Sequence, residues 1–534
     1  MSLSCTYLPY SETNAFSHLV INYLSHSENL KPFYHYAPDK KGIRQAIADR
    51  KKFPVDRRQL VSVLQEQYKD LYQAEALQTN LQLLQDENTF TICTAHQPNL
   101  LTGYLYFVYK IVHAIKLAKD LKADFPEHNF VPVYYIGSED NDLDELGTFR
   151  YNGQKFVWDA AGQTGAVGRM STESLKPLLH DLLKQLGPPG DFCEELHQVI
   201  TSAYLQHPTI SAATIYLVNE LFGRFGLVVI DPDHRSLKAA FTEVMKDDLL
   251  NQTPNRIVVQ QMESLAAHHK TQAHPRSINL FYLKDDLRER IEKQSDGWGV
   301  VNSNIRWSED ALLEELEQYP ERFSPNVILR GLFQETILPN IAFIGGGSEV
   351  AYWLQLKTLF EHYKVFYPVI FLRQSVLWVT GKEGKLRQQL ELSISDIFKP
   401  ETELIHEFVK KNSVDDWQVD NEMKALEQLL GQLKQKAVVV DPTLRASADA
   451  ALARMRHQVQ VLEKKMLRAE KRKLQDRILK IAKLKDHLFP KGSLQERTEN
   501  FMPFYLIYGK SFFDALMEYM APLQQQFLVI EDHQ

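Results

Sequence analysis

The sequence predicts an α/β protein, with a doubly wound parallel sheet at its centre and a helical coiled-coil arm towards its C-terminus. Three observations carry this. Apolar, β-prone runs at 90–93, 130–136 and 226–230 each end in a polar loop, as strands of a buried parallel sheet do. A strongly periodic helical stretch joins the first two, giving the strand–helix–strand unit of such a sheet. Beyond residue 440 the apolar residues fall at alternating spacings of four and three, the heptad signature of a coiled coil.

The chain of 534 residues is too long for one core, so two or three structural units are expected. It is 44% hydrophobic and 24% charged, with a net charge of -7. That balance suits a globular protein and argues against bulk nucleic-acid binding. No basic segment followed by an apolar one opens the sequence, so no signal peptide is expected. Runs such as 365–372 are too short to cross a bilayer. Cys5, Cys93 and Cys193 offer neither a disulfide framework nor paired metal spacing, and a cytoplasmic protein without nucleic-acid or membrane partners is expected.

Residues 1–88 read as mostly helical, with a turn at 36–42 and an amphipathic helix from Glu75. The polar turn 94–99 (Thr-Ala-His-Gln-Pro-Asn) follows the first strand and leads through Thr102 and Gly103 into the long helix. The second strand ends in the acidic cluster Glu139, Asp140, Asp142, Asp144 and Glu145. One or two short strands are expected at 148–158, a helix breaker at 187–190, and a helix at 212–222 before the third strand, which runs into Asp231. Residues 236–322 read as an insertion with a small sheet of its own. A fourth strand at 340–344 precedes Gly345, Gly346 and Gly347, and a helix opens near Ser348 and Glu349. A fifth strand at 367–372 precedes Arg373 and Ser375.

The arm is expected over 385–489. Its seam runs through Ala448, Leu452, Met455, Val459, Leu462, Met466 and Ala469. The five-residue step to Leu474 breaks the heptad, so a discontinuity is expected there. Pro442 marks the turn between two antiparallel helices. The tail, 490–534, is aromatic enough to pack on the core.

Ligands of open parallel sheets bind at the carboxyl ends of the strands. His96, Asn99 and Thr102 are therefore candidates to contact phosphate or to act in catalysis, with Gly103 letting the backbone approach. The alternative is a capped helix with a surface histidine. Glu139, Asp140 and Asp142 could hold Mg²⁺, a ribose hydroxyl or an amine, or simply complement a helix dipole. Gly345, Gly346, Gly347, Ser348 and Glu349 form a candidate phosphate cradle that lacks the P-loop lysine pattern; a tight strand-to-helix turn reads equally well. Tyr352, Trp353, Gln355 and Lys357 could line a pocket or belong to the core. Arg330, Gln334, Glu335 and Arg373 flank strands, and Arg373 suits a carboxylate or phosphate clamp. Cys93 reads as packing, and the basic run 464–485 as a solvated helix face.

Several segments together resemble the BshC family, the cysteine-adding enzymes of bacillithiol biosynthesis. They are Leu100-Leu-Thr-Gly103 with Tyr109-Lys110-Ile111; Pro132-Val-Tyr-Tyr-Ile136 with Glu139, Asp140 and Asp142; Phe225-Gly-Leu-Val-Val-Ile-Asp231; Asn279-Leu-Phe-Tyr282; 329–339; 345–355; 368–375; and Leu488-Phe-Pro490 with Leu494-Gln-Glu-Arg497. They span nearly the whole chain in order. The resemblance implies a Rossmann-like core comparable to class I aminoacyl-tRNA synthetases: a first part over 1–235, a connecting segment over 236–322 and a second part over 323–384. It also implies a coiled-coil arm that forms a homodimer, and a ligase that joins cysteine to glucosaminyl malate. A free carboxylate does not acylate an amine in water, so ATP with Mg²⁺ is expected to activate it as an acyl-adenylate or acyl-phosphate. Two departures stand out. The family pattern more often has Gly-Gln-Gln-x-Gly at 95–99 and Glu-Asp-His-Asp at 139–142, so a histidine is gained at 96 and lost at 141. If both loops face one pocket, the imidazole has moved across it. Two other readings compete: a nucleotide-binding coiled-coil scaffold without turnover, and a nucleotidyltransferase with another acceptor.

Overall fold

The computed structural model describes residues 2–187, 190–413 and 419–533. Pro188 and Pro189, the middle of the expected breaker, lie outside them, as do 414–418 within the expected helical region and the terminal Met1 and Gln534. The chain divides into two compact units, each described by itself. The sheet unit comprises Cys5–Trp378 and Ser493–Ile530; the arm unit comprises Met1–Ser4, Val379–Gly492 and Glu531–Gln534.

The centre of the sheet unit is a five-stranded, all-parallel sheet. Across it the strands run Val369–Leu372, Asn340–Gly345, Thr89–His96, Asn129–Ile136 and Val228–Ile230. The first three strands in the chain step one way across the sheet and the last two step the other way, the doubly wound order of dinucleotide-binding folds. Between the first two strands lies Leu105–Asp124, which buries residues all round, from Leu105 and Phe107 to Leu117 and Leu121. Ala114, Leu117 and Leu121 pack with Phe90 and Ile92 of the first strand and Ile341 and Ile344 of the fourth. Ile92 is wholly buried; truncating a core residue of this kind costs roughly 2–5 kcal/mol.

Several expected boundaries move. The first strand runs through His96, beyond Cys93, because His96 pairs with Ile136 in the parallel ladder. The N-terminal segment is mostly helical, as expected, but opens on a strand, Leu3–Leu8. The turn after Tyr36 ends at Asp39, whose side chain accepts the Gly42 N–H and caps the helix Lys40–Arg50. Gly42 has to be glycine, for a Cβ there would lie 2.0 Å from the Ala37 carbonyl oxygen. The hairpin Thr148–Tyr151/Gln154–Val157 forms as expected. The insertion carries an antiparallel sheet of Arg306–Trp307, Gly297–Val300, Leu287–Gln294 and Leu280–Lys284, whose fifth strand, Phe323–Pro325, comes from just beyond its expected end. Residues 493–530 belong to the sheet unit, with the Phe513 ring 4.9 Å from that of Phe222.

In the arm unit, Asp420–Val440 and Arg445–Lys473 are antiparallel, joined at Asp441 and Pro442. The ion pairs Lys434–Asp449 and Arg456–Glu427 cross between them. Leu474 falls between Arg445–Lys473 and Gln475–Leu488, so the helix breaks where the heptad does. Among the described residues, no helix is long and apolar enough to cross a membrane.

Candidate active site

The order of the strands reverses between Thr89–His96 and Asn340–Gly345, the switch point at which open α/β sheets form a ligand crevice beyond the carboxyl ends. The candidate residues gather along this edge: 96–103 after one strand, 345–349 after its neighbour, 139–142 and Arg373 after the flanking strands. They differ in whether their polar groups are already taken.

After His96 the chain turns tightly. Leu101, Thr102 and Gly103 have φ of 50°, 65° and 63°, a conformation that is costly for a β-branched residue such as Thr102. Tertiary contacts hold it there. Asn500 Nδ2 donates to the carbonyls of Leu101 (2.8 Å) and Gly103 (2.6 Å), and the Leu101 N–H donates to Tyr204 Oη at 2.8 Å. Within this short segment three buried polar atoms have no partner: His96 Nε2, Asn99 Oδ1 and Thr102 Oγ1. Asn99 starts the short turn of helix Leu100–Thr102 without a side-chain capping bond. The His96 ring packs against Tyr106 and Phe107 at 5.3 and 5.5 Å. Burial, reinforced by the charge of Lys110, pushes its pKa well below the usual histidine range, so the imidazole is neutral. His96 is a half-buried residue at a strand end, with its Nε2 shut off from solvent, not a surface turn residue. The unpaired Tyr109 hydroxyl and His113 Nε2 lie further along the helix that follows.

Sequence reasoning did not single out Lys110 as a site residue. Its buried ammonium donates to the Ala95 carbonyl at 2.8 Å and pairs with Glu349 at 2.5 Å, tying the two walls of the crevice together. Its place on the helix just after the turn was the available signal.

The glycine loop does not form the expected cradle. Gly346 precedes the seven-residue helix Gly347–Trp353, and its N–H donates to Glu349 Oε2 at 2.7 Å. A carboxylate thus stands where a phosphate would sit, and Gly345, Gly346, Gly347 and Ser348 form a strand-to-helix turn. Trp353 is core, and Gln355 is spent on the backbone of Gln272 and Ala273.

The acidic loop is corrected as well. Glu139 pairs with buried Lys238, which also donates to the Phe323 carbonyl at 2.9 Å. Asp140 takes the fork of Arg330, with Arg288 3.3 Å away. Burial would raise the Asp140 carboxyl, but the two guanidiniums hold it below its ordinary range. Asp142 accepts the Glu145 N–H at 3.2 Å and caps a short helix, while Asn141 Oδ1 accepts from Arg288 at 2.9 Å. These carboxylates do not form a metal site, and no group of three His, Cys, Asp or Glu residues suited to a metal exists among the described residues. Arg373 is not a free clamp: its fork closes on Glu496 at 2.7 and 2.8 Å, and both groups are buried. Glu496 also accepts from Ser375 Oγ at 3.0 Å. Arg330, Arg373 and their carboxylates thus hold the rim of the crevice in shape.

Comparison with known proteins agrees with this architecture. Residues 3–374 match the family model described as bacillithiol biosynthesis BshC, N-terminal Rossmann-like domain, and residues 376–531 match the BshC C-terminal coiled-coil domain. A protein of Christiangramia forsetii named "Putative cysteine ligase BshC" is 39% identical over 98% of this chain and 98% of its own length. Proteins with the same name from Flavobacterium johnsoniae and Cytophaga hutchinsonii are 39% and 36% identical over 98% and 96% of this chain, and over 99% and 96% of their own lengths. With a Rossmann-like sheet unit followed by a coiled-coil domain along its whole length, this chain belongs to the BshC family of bacillithiol biosynthesis.

Proposed function

We propose that this protein is a ligase that joins the carboxylate of cysteine to the amine of glucosaminyl malate, the last step of bacillithiol biosynthesis. The observation that carries the reading is the set of unpaired buried polar atoms at the switch point, in a chain of this family. Buried polar groups normally find partners, and three without one in seven residues fit a polar ligand.

ATP would supply the leaving group that a free carboxylate lacks. His96, Asn99 and Thr102 are the residues that would hold it, because theirs are the free donors and acceptors. The three acidic residues of the neighbouring loop do not fit Mg²⁺, and no step is assigned to a metal held by them. The chain's own contribution is positioning. Asn500 and Tyr204 fix the turn, and Lys110 and Glu349 fix the distance between the two loops. Neutral His96 can give or take a hydrogen bond without bringing a charge into the crevice.

The arm serves a homodimer in this reading. Leu429, Leu433, Met455 and Leu462 are each about half exposed on it, and pairing with a second copy would cover such residues. Its place is the cytoplasm, where free cysteines such as Cys5 and Cys193 stay reduced.

The test is incubation of the purified protein with cysteine, glucosaminyl malate, ATP and Mg²⁺, with product and nucleotide followed by mass spectrometry. ATP-dependent formation of the thiol is expected, and release of AMP or ADP identifies how the carboxylate is activated. Nucleotide binding without a new thiol would contradict the ligase reading and favour the scaffold.

A further inference from the structure

At the opposite edge of the sheet lies a second concavity. Its volume is about 570 Å³, within the range of small-molecule sites. Phe90, near the start of the first strand, and Pro339, just before the fourth, form part of its wall, so it opens at the amino ends of the strands, away from the crevice. Four cationic side chains line it, Arg50, Lys51, Arg57 and Arg58, against two carboxylates, Asp56 and Glu87.

The charges are not balanced within the wall. Among the described residues none of the four cations makes an ion pair. Arg50 is 3% exposed; its terminal nitrogens donate to the carbonyls of Phe53 and Leu338, and its Nε has no partner. Arg57 donates to the carbonyls of Leu84 and Thr89 at 3.0 and 2.8 Å. Asp56 is occupied in capping the next helix through the Gln59 N–H. Burial, partly offset by the charge of Glu335 and deepened by that of Arg57, lowers Arg50 to about 10; burial also lowers Arg57, against the charges of Asp86 and Glu87. The Phe366 ring lies 5.2 Å from the Arg50 guanidinium and gives it only a cation–π contact. A buried cation without an anionic partner is unfavourable, and an anion entering the cavity would remove the imbalance.

We propose that this cavity is a binding site for a small, multiply charged anion, a phosphate ester or a dicarboxylate, separate from the crevice. Arg50 and Arg57 form its fixed floor, because their guanidiniums are already held by backbone carbonyls. Lys51 and Arg58 are exposed at its mouth and supply the adjustable contacts. A guanidinium suits either anion.

The experiment uses the full chain, with inorganic pyrophosphate and succinate as probes, followed by calorimetric titration and thermal unfolding. At least one probe is expected to bind and raise Tm. The surface double variant Lys51→Ala/Arg58→Ala is expected to bind it at least tenfold more weakly. Binding of pyrophosphate alone identifies a phosphate ester, and of succinate alone a dicarboxylate. Binding of neither probe, or unchanged binding by the double variant, would overturn the proposal.

Discussion

Two neighbouring strand ends in this protein use polar residues in opposite ways. Beyond Asn129–Ile136, Glu139 and Asp140 are matched by Lys238, Arg330 and Arg288. Beyond Thr89–His96, one strand away, half-buried His96 and buried Asn99 and Thr102 keep polar atoms unpaired, and the backbone between Leu101 and Gly103 is held in a strained form. The acidic end carries more charge, yet its charge is spent on holding the fold. The quieter end keeps its polar groups free. In the proposed reading it is unpaired polar atoms on a fixed backbone, not density of charge, that would meet a ligand.

The largest effect expected from this contrast is on stability. Asp140→Asn leaves the buried guanidinium of Arg288 and the half-buried one of Arg330 without their carboxylate, and should cost about 1.5–3 kcal/mol in guanidinium denaturation. A loss below about 1 kcal/mol would mean that the acidic loop is not structural and would erase the difference between the two ends. Thr102→Gly sharpens the comparison from the other side. It relieves the backbone at φ 65° and should stabilise the protein by up to about 1 kcal/mol. It also removes a hydroxyl from the crevice and should lower turnover about tenfold, the worth of one hydrogen bond. A variant both more stable and fully active would separate the strain from function.

A smaller effect concerns pH. Burial, helped by the charge of Arg373, takes His113 down to about 3, against about 6.5 in an unfolded chain. The unfolded chain therefore binds a proton that the folded one does not, and this contribution, complete above pH 6.5, is lost as the pH falls from there towards 3. Between pH 7.5 and 5.5 it amounts to about 1.4 kcal/mol, which His113→Gln should abolish. Burial raises Asp231 to about 6 and Glu335 and Asp248 to about 7. These act in the opposite sense, but equally in both proteins, so the difference between wild type and variant isolates the imidazole. Equal pH slopes would show His113 to be solvated.

Much of this was legible in the sequence. Apolar runs closed by polar loops gave the five strands of the parallel sheet, and the heptad fault gave the helix break at Leu474. The loops of the site were also legible, because in such a sheet they must follow the strands. Their occupancy was not. Asp140 meets Arg330 across 190 residues and Arg373 meets Glu496 across 123; only the packed topology brings those partners together. Thr102-Gly103 suggested a turn, but nothing local told that Leu101 and Thr102 would share the positive φ, since Asn500 and Tyr204 impose it from distant segments. Lys110 was visible as a residue of a periodic helix, while its role depends on Glu349 arriving from the neighbouring strand.

The central claim is that the crevice beside His96, and not the acidic loop beside Asn141, carries the function. The most direct test is kcat/KM for thiol formation by His96→Ala and Asn141→Ala, each checked for folding. A loss of about a hundredfold or more at His96 is expected, in line with the removal of a group that contacts the reacting centre, with only a few-fold loss at Asn141. Equal tolerance at both positions, or a greater loss at Asn141, would contradict it.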